Sequence, residues 1–348
     1  MTHALALGPE APYRRLVGVG GIGSGIVFAL EGGHDLGRNE SRAGRLLDVR
    51  DYCKLHIVAH YPAVLLGARP EGRPFHVLPL GKVGEDDNGR RLLAEMDAAG
   101  MDTRFVEAVA GHPTLLSVCF LYPDGSGGNV TTSDSAAAQL DPADVERARP
   151  WLDRQTIALA LPEAPLAARR RLLALATEHG ALRVASFATA EVDEARESGL
   201  LAQVDLLALN EDEAAALAGA PFAAEDAFLE RCARAARAAQ PGVRLVVTAG
   251  ARGAFACEGS GFKHVPALPV AIASTAGAGD ALLGGTLAGL AAGLPFHEAV
   301  QLGSLAAAFK LSSPHTIPPA LSTRALATLA RERHLPFGDA LAAVLAGA

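Results

Sequence analysis

Short apolar runs alternate with amphipathic helical stretches along most of this chain, and that alternation limits the available folds more than any other feature. Arg15–Val19, His76–Leu80, Ile157–Leu161, Leu182–Ser186, Leu206–Leu209, Arg244–Thr248 and Gly253–Cys257 have the length and apolar content of strands. Between them lie helical patterns at Asn88–Ala99, Pro165–His179, Glu211–Gly219, Ala224–Ala239 and Gly279–Ala292. This spacing predicts βαβ units: an α/β fold whose central, mostly parallel sheet is flanked by helices on both faces. Right-handed crossovers then gather the strand carboxyl ends, and an active site, along one edge.

Two stretches break the rhythm. Residues 37–58 are polar and rich in Arg and Asp, and 105–135 carry alternating patterns joined by the turn-forming PDGSGGN. Both predict β excursions outside the main sheet. The expected organisation is an α/β body of residues 1–36, 59–104 and 136–348, with a small β-sheet lid of 37–58 and 105–135. The tail from about residue 319 reads as two helices.

Composition excludes several function classes. The net charge of −7 over 348 residues argues against a nucleic-acid surface, which needs clustered Lys and Arg. The densest basic run, Arg169–Arg171, falls in a helical pattern and reads as a solvated face. Cys53, Cys119, Cys232 and Cys257 form no CxxC pair, so free thiols in a reducing compartment are expected. The stretch MTHALALGPEAPYRR has no charged start followed by an apolar core, and no apolar run approaches the ~20 residues that span a bilayer. A cytoplasmic protein with no membrane partner is expected.

The most informative segment is STAGAGDALLGGTLAG (274–289). A turn of small residues leads straight into an Ala/Leu helix. Small side chains let the backbone approach a ligand, and a helix start leaves N–H groups without intrahelical partners. Those donors and the positive end of the helix dipole make an anion site. Asp280 stands in the first turn, where a carboxylate can be a simple charge complement or a base. Gly284–Gly285, early in the helix, cost roughly 1 kcal/mol each. That cost predicts something packed tightly against the backbone.

STAGAGDALLGG resembles the second signature of the ribokinase/PfkB family of carbohydrate and nucleoside kinases, in which the final Asp is the catalytic base. The resemblance implies an ATP-dependent phosphotransferase using Mg²⁺, with Asp280 as base. Ala276, Gly277, Ala278 and Gly279 would then offer backbone N–H groups to the transferred phosphoryl group. LALNEDEAAALAG (207–219) is similar to the family's NxxE element, which implies that Asn210 and Glu213 act on magnesium largely through water; alone it also reads as an N-cap with an acidic first turn. LVVTAGARGAFAC (245–257) resembles the nucleotide-binding strand–turn–strand, with Thr248, Gly250 and Gly253 facing ATP. PLGKVGEDDNGRRLLAEMDAAGMDT (79–103) matches the first signature through Gly84, Asp86 and Gly89, in an architectural role. The resemblance spans roughly residues 14 to 320. It also makes a homodimer through the lid an expectation.

The acceptor side departs from the family. No acid follows the first strand, where Ser24 stands in GVGGIGSG, and the Gly-Gly-x-x-x-Asn element aligns loosely with 51–67, where His56 stands near the Asn. Substitute contacts are expected from Ser24, Asn39, Glu40 and His56, with Arg42, Asn129 and Asp134 as further lid candidates. In many family members the region before the GAGD turn helps hold a monovalent cation. Ser274 replaces the usual acid there, so a cation requirement stays open. Two other readings stand beside this one. Gly18, Gly20 and Gly23 form G-x-G-x-x-G with Glu40 about 20 residues on, the fingerprint of an NAD(P)-dependent oxidoreductase. A catalytically impaired member could instead bind a nucleotide or sugar as a regulator.

Overall fold

The computed structural model describes residues 4–33, 35–124, 127–259 and 261–347. Met1–His3 of the amino-terminal stretch, and Gly125 and Ser126 of the expected turn, lie outside them. In chain order the first half comprises β1 (Arg15–Val19), β2 (Gly23–Leu30), β3 (Gly44–Leu46), β4 (Asp51–Tyr52), α1 (Lys54–Leu65), β5 (His76–Gly84), α2 (Asp87–Ala98), β6 (Phe105–Val109), β7 (Leu115–Leu121), β8 (Gly127–Thr131) and α3 (Pro142–Glu146). The second half comprises β9 (Thr156–Ala160), α4 (Leu166–His179), β10 (Leu182–Ala185), α5 (Val192–Glu197), β11 (Leu206–Leu209), α6 (Glu211–Ala218), α7 (Asp226–Ala239), β12 (Arg244–Thr248), β13 (Ala254–Glu258), β14 (Gly261–Val265), α8 (Ala278–Ala291), α9 (Phe296–Leu311), α10 (Thr323–Glu332) and α11 (Asp339–Ala346).

A nine-stranded sheet runs β14-β13-β12-β11-β10-β9-β1-β5-β6, parallel from β12 to β6 and antiparallel at the β13–β14 edge. Every residue of β9 is buried, the pattern of a strand covered on both faces. A smaller sheet runs β3-β2-β7-β8, with β4 also on β2. The expected excursions are real, but their boundaries differ. β6 joins the main sheet beside β5 and not the expected lid. β2, expected in the body, is the centre of the smaller sheet and pairs with β7 in parallel.

β2 also removes the dinucleotide reading, because a strand and not a helix follows β1. The three glycines there serve packing. A side chain on Gly18 would meet Leu55 at 2.7 Å, one on Gly20 would meet Leu161 and Leu55 at 3.0 Å, and one on Gly23 would run into the Leu115 carbonyl.

The core explains the costly glycines of α8. α8 is buried throughout from Ala281 to Ala291 and most of α9 is buried, with no residue of α9 fully exposed. A side chain on Gly284 would meet Tyr61 of α1 at 2.7 Å, and one on Gly285 would meet the Gly303 Cα of α9 at 2.9 Å. The tight partner is therefore the protein's own helices. On the opposite face Arg169, expected to be solvated, is fully buried. It bonds both Glu191 carboxylate oxygens at 2.8 Å and the Ser186 carbonyl at 2.7 Å. Asp86 caps α2 by accepting from the Gly89 N–H and ties down Thr114, the architectural role expected of that signature. All four cysteines are unpaired. No helix among the described residues is long and apolar enough to cross a membrane.

Candidate active site

The carboxyl ends of three neighbouring parallel strands each deliver one polar group to a single cleft. Ser186 follows β10, Asn210 follows β11 and Thr248 ends β12. With Lys54 from the start of α1, and Gly277, Asp280 and Leu282 from α8 and its turn, they line a cavity of about 240 Å³. This is where an open α/β sheet places its ligand.

Asp280 lies in the first turn of the 14-residue α8, whose N-cap, Gly277, has φ +76°. The N–H groups of Ala276, Gly277, Gly279 and Asp280 have no backbone partner among the described residues, whereas that of Ala278 bonds the Thr275 carbonyl at 3.2 Å. A side chain on Gly279 would meet nothing within 4 Å, so the helix start faces open space. The site therefore combines free donors, a dipole end and a carboxylate.

Asn210 and Glu213 form a reciprocal capping box. The Glu213 N–H donates to Asn210 Oδ1 at 2.8 Å, and the Asn210 N–H to Glu213 Oε2 at 2.9 Å. The pair is thus an N-cap with an acidic first turn, and both residues also line the cleft. Burial pushes the Glu213 carboxyl up to about 7.

A second cavity, of about 640 Å³, opens from the first past Thr248, Thr275 and Gly279. Its walls are the β12–β13 turn with Gly250 and Gly253, the loop with Leu268, Pro269 and Ile272, and α9 at Ala307 and Leu311. Gly253 has φ +90°, and a side chain on it would clash with the Val265 carbonyl and the Ala267 N–H. The hairpin can thus bring its backbone to the cavity only with glycine there.

The sequence missed three charged residues. Lys54 Nζ lies 3.5 Å from Asp280 Oδ1. The Asp280 carboxylate beside it holds the ammonium above its ordinary range. Glu163, just past β9, accepts the Lys54 N–H at 2.9 Å and is pushed up to about 7 by burial. Asp51 on β4 is raised by burial and feels the charge of Asp280. For Glu163 the missed signal was an acid two residues beyond an expected strand end.

The expected acceptor residues are elsewhere. Ser24 is buried and donates to Asn88 Oδ1 at 2.9 Å. Asn39 is exposed at φ +63°, and Glu40 accepts from the Gly37 N–H and pairs with Arg42. Asn129 lies on β8 and donates to Thr131, and the Asp134 carbonyl contacts the His112 ring. His56 is 1% exposed, packed against Tyr52 and His60, and burial lowers its pKa well below normal. It is a core histidine. None of these residues lines either cavity.

Solved structures confirm the fold. Ribokinase from Giardia lamblia superposes with a TM-score of 0.74 at 18% identity, covering 86% of this chain and 94% of that one. The fold is thus ribokinase-like. The model of the pfkB family carbohydrate kinases matches residues 66–324, and the chain belongs to that family. A fructokinase of Klebsiella pneumoniae is 30% identical over 241 residues, 66% of this chain and 76% of its own length. A bifunctional ribokinase/ribose-5-phosphate isomerase A of Fructilactobacillus sanfranciscensis is 27% identical over 205 residues, covering 58% of this chain and 36% of that protein. The chain spans only about a third of that relative's length.

Proposed function

We propose that this protein transfers the γ-phosphate of ATP to a hydroxyl of a sugar-like small molecule. The observation that carries this reading is Asp280 on a helix start whose free N–H groups open into a cleft shared with Lys54, Asn210, Glu213 and Thr248. The acceptor oxygen attacks the γ-phosphorus in line and its proton passes to Asp280, while the bond to the ADP oxygen breaks and ADP leaves with those electrons. The N–H groups of Ala276, Gly277 and Gly279 bind the equatorial oxygens as charge develops there. Lys54, with its ammonium 3.5 Å from Asp280, adds a positive charge beside the reacting atoms.

The donor ATP fits the two cavities: the polar one suits its phosphates, and the mostly apolar one, entered past Gly250 and Gly253, suits a base. Among the described residues no cluster of three acidic, His or Cys groups could hold a metal directly. The donor set therefore suits Mg²⁺ held by phosphate and water, with Asn210 and Glu213 behind the water. When bound, the ion neutralises phosphate charge. Lys54 faces the acceptor side of the cleft, with Asp51 and Glu163 behind it and outside the cavity lining. We also propose a homodimer through the smaller sheet, which exposes Leu46 and Val130 at 60% and 69%.

Replacing Asp280 with Asn keeps the shape and removes the base. Turnover on an acceptor that the wild type phosphorylates should fall ~10²–10⁴-fold while ATP binding persists. Equal turnover by the variant would sink the assignment. Mg·ATP should raise the melting temperature and NAD(P) should not. A broad sugar panel yielding no phosphorylated product would favour the regulator reading instead.

A further inference from the structure

Lys310, in the last turn of α9, is 0% exposed, and among the described residues it joins no ion pair. Its Nζ donates to the main-chain carbonyls of Ser274 at 2.7 Å and Ser313 at 3.4 Å. Ser274 begins the 274–280 turn. The same stretch is laced to the end of α9 by the Ala273 N–H, which bonds the Leu311 carbonyl at 2.7 Å, and by the Ser274 N–H, at 3.4 Å from that oxygen. An ammonium stripped of water and held by carbonyls occupies the ligand field that proteins elsewhere give a monovalent metal ion. Burying an ammonium without a paired carboxylate is costly, and burial lowers its pKa to about 8, against the opposing field of Asp51. A fixed positive charge here lies at the root of the turn whose N–H groups face the cleft, and adds to the field of the helix start.

We propose that Lys310 is a tethered monovalent cation: its ammonium fills a carbonyl-lined position behind the anion-binding turn, holds that turn in place, and makes nucleotide binding independent of added potassium. This rests on the reading of residues 276–279 as the nucleotide phosphate site. Lys310 is thus a positioning residue, since it acts through the turn.

The probe is the β,γ-methylene analogue of ATP with Mg²⁺, titrated calorimetrically in KCl or in choline chloride at one ionic strength. Wild-type affinity should differ by less than about twofold between the salts. K310M should bind about tenfold more weakly in choline chloride, and KCl or NH₄Cl should restore it saturably by filling the vacated position. A purely structural role would lower stability without ion-specific rescue. Three results overturn the proposal: wild-type affinity that tightens saturably with K⁺, K310M affinity equal to wild type in choline chloride, or a loss that neither ion restores. Should K310M fail to fold, K310Q serves, and saturable tightening of the wild type by K⁺ overturns the proposal by itself. A wild-type protein that binds the analogue in neither salt removes the nucleotide reading, and the inference falls with it.

Discussion

On the proposed nucleotide side of the cleft the groups set to meet the transferred phosphate are main-chain N–H atoms, whereas the other side carries the charged side chain of Lys54 with Asp51 and Glu163 behind it. The first side is built from contiguous small residues, because N–H groups reach a ligand only where side chains are missing. The second side is assembled from β4, the start of α1 and the end of β9, three places far apart in the chain. A backbone site leaves a local mark in the sequence. A side-chain site assembled by topology leaves single charged residues that resemble any others.

This contrast can be broken first on the backbone side. Val at Gly277 forces a β-branched residue into φ +76°, with its Cβ near 3.1 Å from Thr316. Moving the donors should lower kcat ~10²–10³-fold, as losing an oxyanion donor does. A near-normal kcat would show that the turn does not bind the transferred group. On the side-chain side, Lys54→Met should cost about 10–10²-fold in kcat with a smaller change in ATP affinity. If ATP binding alone suffers, Lys54 belongs to the nucleotide side and the division is wrong.

Glu163 sharpens the comparison through pH. Its folded pKa of about 7 stands above the ordinary 4.5, so the native state holds the proton more tightly than the unfolded chain. Its contribution is therefore fully present below the unfolded pKa and lost as pH rises through about 7. Glu163→Gln should raise stability near pH 8 by about 1–2 kcal/mol, seen as a Tm gain of a few degrees, while lowering turnover. The gain should shrink near pH 5; an equal gain at both values would rule out titration as the cause. The smallest effect is expected remote from the cleft. Val130→Asp should convert a dimer to monomers by light scattering with kcat changed little, and a monomeric wild type would dismiss the dimer.

The main sheet was legible because buried parallel strands are continuous apolar runs, as β9 and β12 are. β6 was misplaced for a physical reason. It is the edge strand of the main sheet, half-exposed, and so alternates as a strand of a separate small sheet would. β2 was hidden by its glycines. Gly23 and Gly25 look like a turn, yet they sit where Leu115 and Asp51 press against the strand. The Asp280 turn, the Asn210–Glu213 pair and the Thr248 hairpin were legible as local patterns. Lys54 and Asp51 were not, because nothing in a single segment shows that β4 and α1 approach α8.

On the proposed function, the glycine contacts that lock α8 against α1 and α9 bear on the reaction without touching it. A helix wedged backbone to backbone has few orientations open to it before a ligand arrives, and a close-packed core yields little. A phosphate docking at its start, as proposed, would then cost little conformational entropy, and more of the interaction energy would remain as affinity. Gly284, Gly285 and Gly303 in this way set the rigidity of a receptor whose ligand they never meet.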